Sequence, residues 1–397
     1  MHTTTVPVSQ IDPFDETVLA DPYPAHRELR DLGAVVWLER YRVWGMARHE
    51  QVEAALNDPQ TFCSARGVGL SDFHKEKPWR PPSLLLEADP PDHTRARHTI
   101  TQVLSPVAVR GLREAFTAEA SALFDRLAGR TAIDGVRDIA EAFPLTVFPD
   151  VVGLPPDGRE HLLPYGGLVF NGFGPRNRLF LDALARAEHA RDWIAAHCRR
   201  ENLADGGLGA QIHRTAAAEG YTAADAALLV RSFLSAGVDT TVHGIGNALL
   251  CLAENPDQFR VLRADPTQAR KAFEETIRYE SPVQTFFRTT TRDVDVAGAT
   301  IPAGEKVLLF LAAANRDPRR WEAADTYDIT RKASGHVGFG FGVHACVGQM
   351  LARLEGEIVL TELARRAEAI ELAGPPKRQL SNTLRGLDSL PLSVAWV

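Results

Sequence analysis

Residues 339–348 have the sequence Phe339-Gly340-Phe341-Gly342-Val343-His344-Ala345-Cys346-Val347-Gly348, which places a cysteine after a glycine-rich loop and before a predicted helix starting near Val347. Unpaired N–H groups at a helix start favour a thiolate over a thiol. The glycines let the backbone approach a flat ligand, because no Cβ intervenes. A glycine loop with a plain buried cysteine fits the composition equally well. A phosphate loop is excluded, since no Gly-Lys-Ser/Thr follows.

Outside this loop, most of the chain has helical periodicity, and β-branched and aromatic runs are few. Helices are predicted at 107–130, 178–200, 222–254, 266–280 and 347–368. Strands are predicted at 34–47 and 293–310. These patterns indicate a mainly α protein with small β-sheets. No repeat or linker interrupts residues 1–397, so a single domain is expected.

The helix predicted at 222–254 is the longest. Thr222 can cap it and Asn255-Pro256 ends it, so about 30 residues at ~1.5 Å each would form a rod of roughly 45 Å. Its middle, residues 236–241 (Ala-Gly-Val-Asp-Thr-Thr), is unfavourable for a helix interior. A threonine hydroxyl there can bond a backbone carbonyl and open a groove in the helix. Gly244-Ile245-Gly246 follows no strand, so we interpret it as a helix-packing site rather than a dinucleotide motif.

The bulk composition narrows the function classes. Lys and Arg number 44 against 51 Asp and Glu, which argues against a nucleic-acid partner. No segment has the ~18 apolar residues of a membrane span, and Met1 to Gln10 has no targeting pattern, so a cytoplasmic protein without membrane contact is expected. The four cysteines are scattered, so disulfides are not expected and the three outside the loop are interpreted as inert.

The cysteine loop, followed by Leu351-Ala352-Arg353, resembles the haem-binding loop of the cytochrome P-450 family. The resemblance implies that family's fold, a triangular helical prism with haem b between the long central helix and the helix after the cysteine. It also implies that Cys346 is the axial iron ligand and that Phe339, Gly340 and Gly348 contact the haem. In that family the thiolate donates electron density to an iron that activates dioxygen.

The same resemblance gives roles to residues that are ambiguous alone. His93 and Arg97 share a helical face that could simply be solvated. The resemblance makes them ligands of the haem propionates, together with Arg288 and His344. Glu275 and Arg278 could be an ordinary surface ion pair. In the family such a pair is buried and supports the cysteine loop, with Arg331 as its third member. The resemblance also assigns proton delivery during catalysis to Asp239 and Thr240.

Three segments resemble a branch of the family that oxidises para-substituted benzoic acids, notably by O-demethylation of 4-methoxybenzoate: residues 62–73, 77–83 and 281–288. This likeness implies a substrate site, whose carboxylate-binding residues would be Arg80, Ser83 and Ser232 with Arg231 nearby, and whose ring-binding residues would be Leu86, Phe170, Phe173, Ala236, Val283 and Phe286. Taken singly, the polar members are typical of a protein surface.

Ser232 and Thr240 lie on one helical stripe, about 12 Å apart at ~1.5 Å per residue. Phe341 is bulkier than expected for this branch, which puts haem electronics or partner docking in question.

Electrons would come from separate proteins, a ferredoxin and a ferredoxin reductase, because the chain has no room for a reductase module. Arg95, Arg113 and Arg353 are candidates for a basic docking surface on a monomeric enzyme.

Two other functions are open from the sequence. A peroxygenase would use hydrogen peroxide directly, which the Asp239-Thr240 pair disfavours. A non-catalytic haem sensor that binds aromatic acids would need no such pair.

Overall fold

A computed structural model of the protein describes residues 6–397, so the first five residues of the segment examined for a targeting pattern lie outside it. Helices form most of the regular structure. The α-helices are α1 (Glu16–Ala20), α2 (Tyr23–Leu32), α3 (His49–Asn57), α4 (Asp92–Val103), α5 (Pro106–Gly111), α6 (Arg113–Leu127), α7 (Ala142–Val152), α8 (Leu162–Asn171), α9 (Arg178–Arg186), α10 (Glu188–His197), α11 (Leu208–Ala218), α12 (Ala223–Ala236), α13 (Asp239–Glu254), α14 (Pro256–Ala264), α15 (Ala269–Tyr279), α16 (Leu311–Asn315) and α17 (Gln349–Arg366).

The strands are short and form small sheets, as predicted. They are β1 (Val8–Ser9), β2 (Val36–Leu38), β3 (Val43–Met46), β4 (Phe62–Cys63), β5 (Ala132–Asp134), β6 (Thr285–Thr290), β7 (Val294–Val296), β8 (Ala299–Ile301), β9 (Lys306–Phe310), β10 (Ala367–Leu372), β11 (Lys377–Gln379), β12 (Gly386–Ser389) and β13 (Pro391–Trp396). The largest sheet has the order β1-β2-β3-β9-β6-β4. A second sheet has the order β10-β13-β5, and β7-β8 and β11-β12 are two-stranded.

The predicted central helix is two helices. It begins as expected, because the Thr222 hydroxyl accepts from the Asp225 N–H and the Asp225 carboxylate accepts from the Thr222 N–H. It then stops at Ala236, and α13 starts at Asp239. The prediction of one uninterrupted helix over 222–254 was therefore wrong.

The interruption has a local cause. The Thr240 hydroxyl donates to the Ala236 carbonyl at 2.9 Å, and the Thr241 hydroxyl donates to the Gly237 carbonyl at 3.3 Å. The Thr241 N–H bonds to the Val238 carbonyl, three residues back, instead of continuing the regular ladder. Side-chain hydroxyls thus replace backbone donors where the sequence predicted a groove.

Four other predicted helices have different bounds. Residues 107–130 form α5 and α6, and residues 178–200 form α9 and α10 with a break at Ala187. A 3-10 turn at Pro266–Gln268 precedes α15. The helix after the cysteine begins at Gln349, two residues later than predicted.

α13, α15 and α17 pack closely around Phe273, which is buried on α15. A Cβ added to Gly356 of α17 would lie 2.3 Å from Phe273 Cδ2, and one added to Gly244 of α13 would lie 3.1 Å from Phe273 Cζ. Gly244 therefore is the helix-packing residue that we expected. This contact fixes α17, which follows the cysteine loop, next to the central helices. Over residues 6–397, no helix combines the length and apolarity needed to cross a membrane.

Candidate active site

A cavity of about 1780 Å³, including its opening to solvent, lies between the α12–α13 junction and the cysteine loop. Most of the predicted site residues line it. They are Arg80, Ser83, Leu86, His93, Arg97, Phe170, Phe173, Arg231, Ser232, Ala236, Thr240, Val283, Phe286, Arg288, Phe339, Gly340, His344, Cys346 and Gly348. Four predicted residues, Asp239, Glu275, Arg278 and Arg331, are not part of its lining and lie behind it.

The cysteine loop depends on two glycines with left-handed backbone, Gly340 at φ 69° and Gly342 at φ 65°. Residues with a Cβ rarely adopt such angles. The turn lets the Cys346 N–H donate to the Phe339 carbonyl at 2.7 Å. Arg97 Nη1 donates to the Ala345 carbonyl at 2.5 Å, which ties the loop to α4. The loop thereby presents the thiol to the cavity.

The Cys346 thiol is reachable from the cavity, yet protein surrounds it on its other sides. Burial raises its pKa, and the Gly348 N–H together with the positive charges of Arg97 and Arg353 only partly opposes this. The backbone N–H groups of Gly348 and Gln349 at the start of α17 favour the thiolate, as expected, but they do not outweigh the effect of burial. A metal ion bound to Sγ would displace the proton outright.

The remaining three cysteines are buried, as expected for inert residues. Burial raises the pKa of each, namely Cys63, Cys198 and Cys251.

One edge of the cavity is cationic. Arg288 is buried on β6, and burial lowers its pKa to about 10. The His93 and His344 rings lie 4.2 Å apart, and burial lowers the pKa of His344 to about 3. His93 Nδ1 and His344 Nε2 are buried without hydrogen-bond partners. Buried donors and cations without an acceptor are costly, so this edge favours an anionic ligand.

These features fit haem b, the cofactor that the resemblance implies. Cys346 can supply a thiolate ligand, and the glycine loop leaves room beside a flat ring. Arg97, Arg288 and the two unpartnered histidine nitrogens can donate hydrogen bonds to propionate carboxylates.

Behind the loop, Glu275 and Arg278 form a fully buried ion pair with Nη2–Oε1 and Nε–Oε2 distances of 2.7 and 2.8 Å. Arg331 Nε lies 3.2 Å from Glu275 Oε1, so the structure brings together the three residues that the sequence grouped. Arg278 also donates to the carbonyls of Asn315 and Ala324. The cluster joins α15 to the chain that leads into the cysteine loop.

On the opposite side of the cavity, Thr240 lies beside the helix junction, but Asp239 is turned away from the cavity. The Asp239 side chain is buried, and burial raises its pKa to about 7. Its ionisable neighbour is His243, with 3.3 Å between Nε2 and Oδ1. Sequence reasoning missed His243, although its spacing of four residues from Asp239 places both on one helix face.

The far end of the cavity is polar. Ser83 Oγ and Ser232 Oγ lie 3.0 Å apart, which links the loop before α4 to α12. Arg80 makes two contacts with Glu87, and Glu87 also accepts from the Ser83 N–H at 2.7 Å. Arg231 Nη2 donates to the Pro81 carbonyl at 2.7 Å. Sequence reasoning missed Glu87, because this loop has no periodicity that would predict its orientation.

Aromatic side chains form the walls between the polar end and the cysteine. The Phe170 and Phe173 ring centroids are 5.8 Å apart at 84°, and those of Phe173 and Phe286 are 5.6 Å apart at 65°. Phe286 and Arg288 are two residues apart on β6, so both face the cavity. The walls can hold a flat apolar ring.

The three arginines considered for partner docking each have a partner within the chain. Arg353 pairs with Glu274 and lies over the Phe339 ring, 4.5 Å from its centroid. The other contacts are Arg113 with Glu357 at 2.8 Å and Arg95 with Tyr221 at 3.9 Å from the ring centroid. Arg353 thus supports the cysteine loop directly.

Comparison with known proteins agrees with this geometry. A family model described as Cytochrome P450 matches residues 185–385. The chain is 60% identical over 394 residues to cytochrome p450 CYP199A2 of Rhodopseudomonas palustris. The aligned region covers 99% of this chain and 96% of the relative. The structure of cytochrome P450 CYP109Q5 from Chondromyces apiculatus superposes with a TM-score of 0.84 at 29% identity over 98% of each chain.

A further solved structure, cytochrome P450 CREJ in complex with (4-ethylphenyl) dihydrogen phosphate, has a TM-score of 0.86 at 25% identity and covers 96% of this chain and 98% of its own. These likenesses confirm the fold that the cysteine loop predicted. The chain therefore belongs to the cytochrome P450 family, and it is a monooxygenase whose cofactor is haem b with a thiolate ligand.

Proposed function

We propose that this P450 inserts one oxygen atom from dioxygen into a small aromatic carboxylic acid. The substrate is a para-substituted benzoate such as 4-methoxybenzoate, and the reaction is O-demethylation or hydroxylation at the para group. One observation carries the proposal: Arg80, Ser83, Arg231 and Ser232 form a second polar group on the cavity, in addition to the cationic edge that fits the haem propionates, and the cavity walls include the aromatic rings of Phe170, Phe173 and Phe286.

The charges at this end favour an anion. Arg80 and Arg231 bring two positive charges, and Glu87 offsets one of them. Burial lowers the pKa of Arg231, and repulsion from Arg80 adds to this effect. A bound carboxylate would compensate the remaining charge and accept from the Ser83 and Ser232 hydroxyls.

Two relatives support the same chemistry. The 60% identity with CYP199A2 extends over nearly the whole chain, so the cavity of that relative is built from a similar sequence. The ligand named for the CREJ structure, (4-ethylphenyl) dihydrogen phosphate, is itself a para-substituted phenyl ring with an anionic group. A cavity with an anion-binding end and a ring-sized wall is thus compatible with this fold.

The chain's own residues position the substrate and handle protons. When bound at Cys346, the haem supplies the activation of dioxygen and the oxidising power of the reaction. The polar end fixes the carboxylate, so the para group points along the aromatic walls toward the cysteine side. Phe170, Phe173 and Phe286 exclude water from the ring. Thr240 and Asp239 hold and transfer the protons that reduction of oxygen requires.

The overall reaction consumes one dioxygen, two electrons and two protons for each methoxybenzoate. It gives 4-hydroxybenzoate, formaldehyde and water, because the oxidised methoxy carbon forms a hemiacetal that loses formaldehyde.

The electrons come from separate redox partners, which we propose to be a two-iron ferredoxin and its reductase. We also propose that the chain works as a single-domain monomer.

The test is product analysis with the holoenzyme, a two-iron ferredoxin and its reductase. We expect 4-methoxybenzoate to give 4-hydroxybenzoate and formaldehyde in equal amounts. 4-Methoxybenzyl alcohol has the same para group without the carboxylate. We expect its turnover to be at least ~10-fold lower, because it lacks a charge-assisted hydrogen bond between the carboxylate and the polar end. Equal turnover of the alcohol and the acid would reject the polar end as the recognition element.

A further inference from the structure

His243 lies on α13, one turn after Asp239. Its Nε2 is 3.3 Å from Asp239 Oδ1, and the two side chains are only 4% and 7% exposed. Asp239 is turned away from the cavity that Thr240 lines, so the imidazole rather than the cavity is its polar neighbour. The two residues therefore form a buried acid–imidazole pair directly behind the active site.

The pair is enclosed on both sides by close backbone packing. A Cβ on Gly386 of β12 would lie 1.8 Å from His243 Nδ1, so the ring occupies the space that a side chain there would take. A Cβ on Gly166 of α8 would lie 3.0 Å from Asp239 Cβ. His243 Nδ1 is buried and has no hydrogen-bond partner. The fold thus reserves a confined position for this ring while leaving one of its nitrogens available.

No arginine or lysine neutralises Asp239 in this arrangement. Within residues 6–397, His243 is the one side chain capable of positive charge within 4.0 Å of its carboxyl oxygens. Two further carboxyls are coupled to the pair: Asp388 of β12 acts on His243, and Asp239 acts on Glu141, the last residue of the π-helical turn Val136–Glu141. Burial raises the pKa of Asp239 to about 7 and lowers that of His243 to about 4. When the pair holds one proton, that proton therefore resides on Asp239 rather than on His243.

We propose that His243 is the positioning residue that holds the Asp239 carboxyl and governs the proton that Asp239 delivers. Asp239 gives one proton toward Thr240 and becomes a carboxylate next to a neutral imidazole. A proton from water on the Glu141 and Asp388 side then restores the acid, and no electrons are transferred in either step. The inference rests on the proton-delivery role proposed above for Asp239, but it does not depend on the identity of the substrate.

The first measurement is infrared spectroscopy of the ferric holoenzyme. The difference between wild type and Asp239→Asn identifies the carbonyl band of the protonated Asp239 side chain. We expect His243→Leu to shift or abolish this band, because its contact at Oδ1 is removed. His243→Asn can still bond the carboxyl and should restore part of the band. The matched control is His213→Asn, at a buried histidine whose Nε2 contacts the Cys198 carbonyl far from Asp239.

The second measurement is product formed per electron pair, together with the solvent isotope effect on turnover. General acid catalysis by a positioned group contributes ~10²–10⁴-fold, so His243→Leu should lower coupled turnover at least ~10-fold and raise the isotope effect. His243→Asn should recover part of both, and His213→Asn should match wild type. An unchanged band and an unchanged isotope effect in His243→Leu, with Asp239→Asn impaired, would overturn this inference alone. If Asp239→Asn itself is unimpaired, the proton-delivery role fails as well.

Discussion

Arg80 and Glu87 form a two-point ion pair at the polar end of the cavity, with Nη1 2.9 Å from Oε2 and Nη2 3.2 Å from Oε1. The Glu87 side chain is only 3% exposed. Removal of either partner alone would leave a buried charge without compensation, which is strongly destabilising. An Arg80 variant must therefore be compared with one that also removes the Glu87 charge, so that loss of stability is distinguished from loss of substrate binding.

Arg80→Met should weaken binding of 4-methoxybenzoate by ~10–100-fold, because a hydrogen bond to a charged group contributes ~1.5–3 kcal/mol. Binding of neutral 4-methoxybenzyl alcohol should change little. Titration of the haem absorption spectrum measures both dissociation constants.

The control for that variant is the double substitution Arg80→Met with Glu87→Met, which removes the buried charge along with its partner. It should recover stability lost in the single variant without recovering affinity for the acid. Wild-type affinity in the double variant would show that Arg80 does not bind the carboxylate.

Ser232→Ala should weaken binding of 4-methoxybenzoate several-fold, since a neutral hydrogen bond contributes ~0.5–1.5 kcal/mol. Ser235→Ala is the matched control: both residues line the cavity and each hydroxyl donates to a backbone carbonyl, but Ser232 Oγ also lies 3.0 Å from Ser83 Oγ. Spectral titration compares the two variants. Equal losses would mean that the hydroxyl of Ser232 has no specific role.

Thr240→Ala should lower the product formed per electron pair by ~10-fold or more and raise release of hydrogen peroxide, because a proton donor at the cavity is lost. Thr241→Ala provides the comparison, since its hydroxyl bonds the neighbouring Gly237 carbonyl at 3.3 Å. Parallel assays of product and peroxide distinguish them. If Thr241→Ala is the more uncoupled variant, proton delivery has been assigned to the wrong hydroxyl.

Glu355 on α17 should make stability depend on pH. Both of its carboxyl oxygens are buried without hydrogen-bond partners, and burial raises its pKa from 4.5 to about 8. The folded state keeps a proton that the unfolded state loses above pH 4.5, so the free energy of unfolding falls as pH rises from 4.5 to about 8. Glu355→Gln cannot ionise and should reduce this fall. Denaturant unfolding across that range measures it, and identical slopes in both proteins would exclude Glu355 as the cause.

Gly356→Ala should destabilise the fold by ~1–3 kcal/mol, as overpacking does, because its Cβ would lie 2.3 Å from Phe273 Cδ2. Gly246→Ala is the control within another helix, where the added Cβ would lie 3.7 Å from Ala140 Cβ. It should be neutral or stabilise by up to ~1 kcal/mol, since alanine is the better helix former. Thermal unfolding tests both. Equal effects would mean that the close packing around Phe273 contributes little.

Local sequence signals predicted the parts of the molecule that depend on local chemistry. The Thr222–Asp225 cap, the glycine turns before Cys346 and the strands at 34–47 follow from residue types and short spacings. The loop resemblance also grouped Arg331 with Glu275 and Arg278, which lie far from it in sequence yet meet it in one buried cluster.

The break after Ala236 and the contacts of Glu87 and Asp239 were not predictable in this way. The break after Ala236 arises from hydroxyl bonds to carbonyls, and propensity could mark the site as unusual but not divide the helix. Glu87 meets Arg80 across a loop without periodicity. Asp239 faces His243 rather than the cavity because α8 and β12 close around it, which no local pattern reveals.

Titration of the ferric holoenzyme with 4-methoxybenzoate, followed by the haem absorption spectrum, is the most direct test of the proposed substrate class. We expect a saturable change from the low-spin to the high-spin spectrum, and 4-methoxybenzyl alcohol should need at least ~10-fold higher concentration to produce it. A protein that contains haem but shows no spectral change with the acid at any concentration would contradict the proposed roles of Arg80, Ser83 and Ser232.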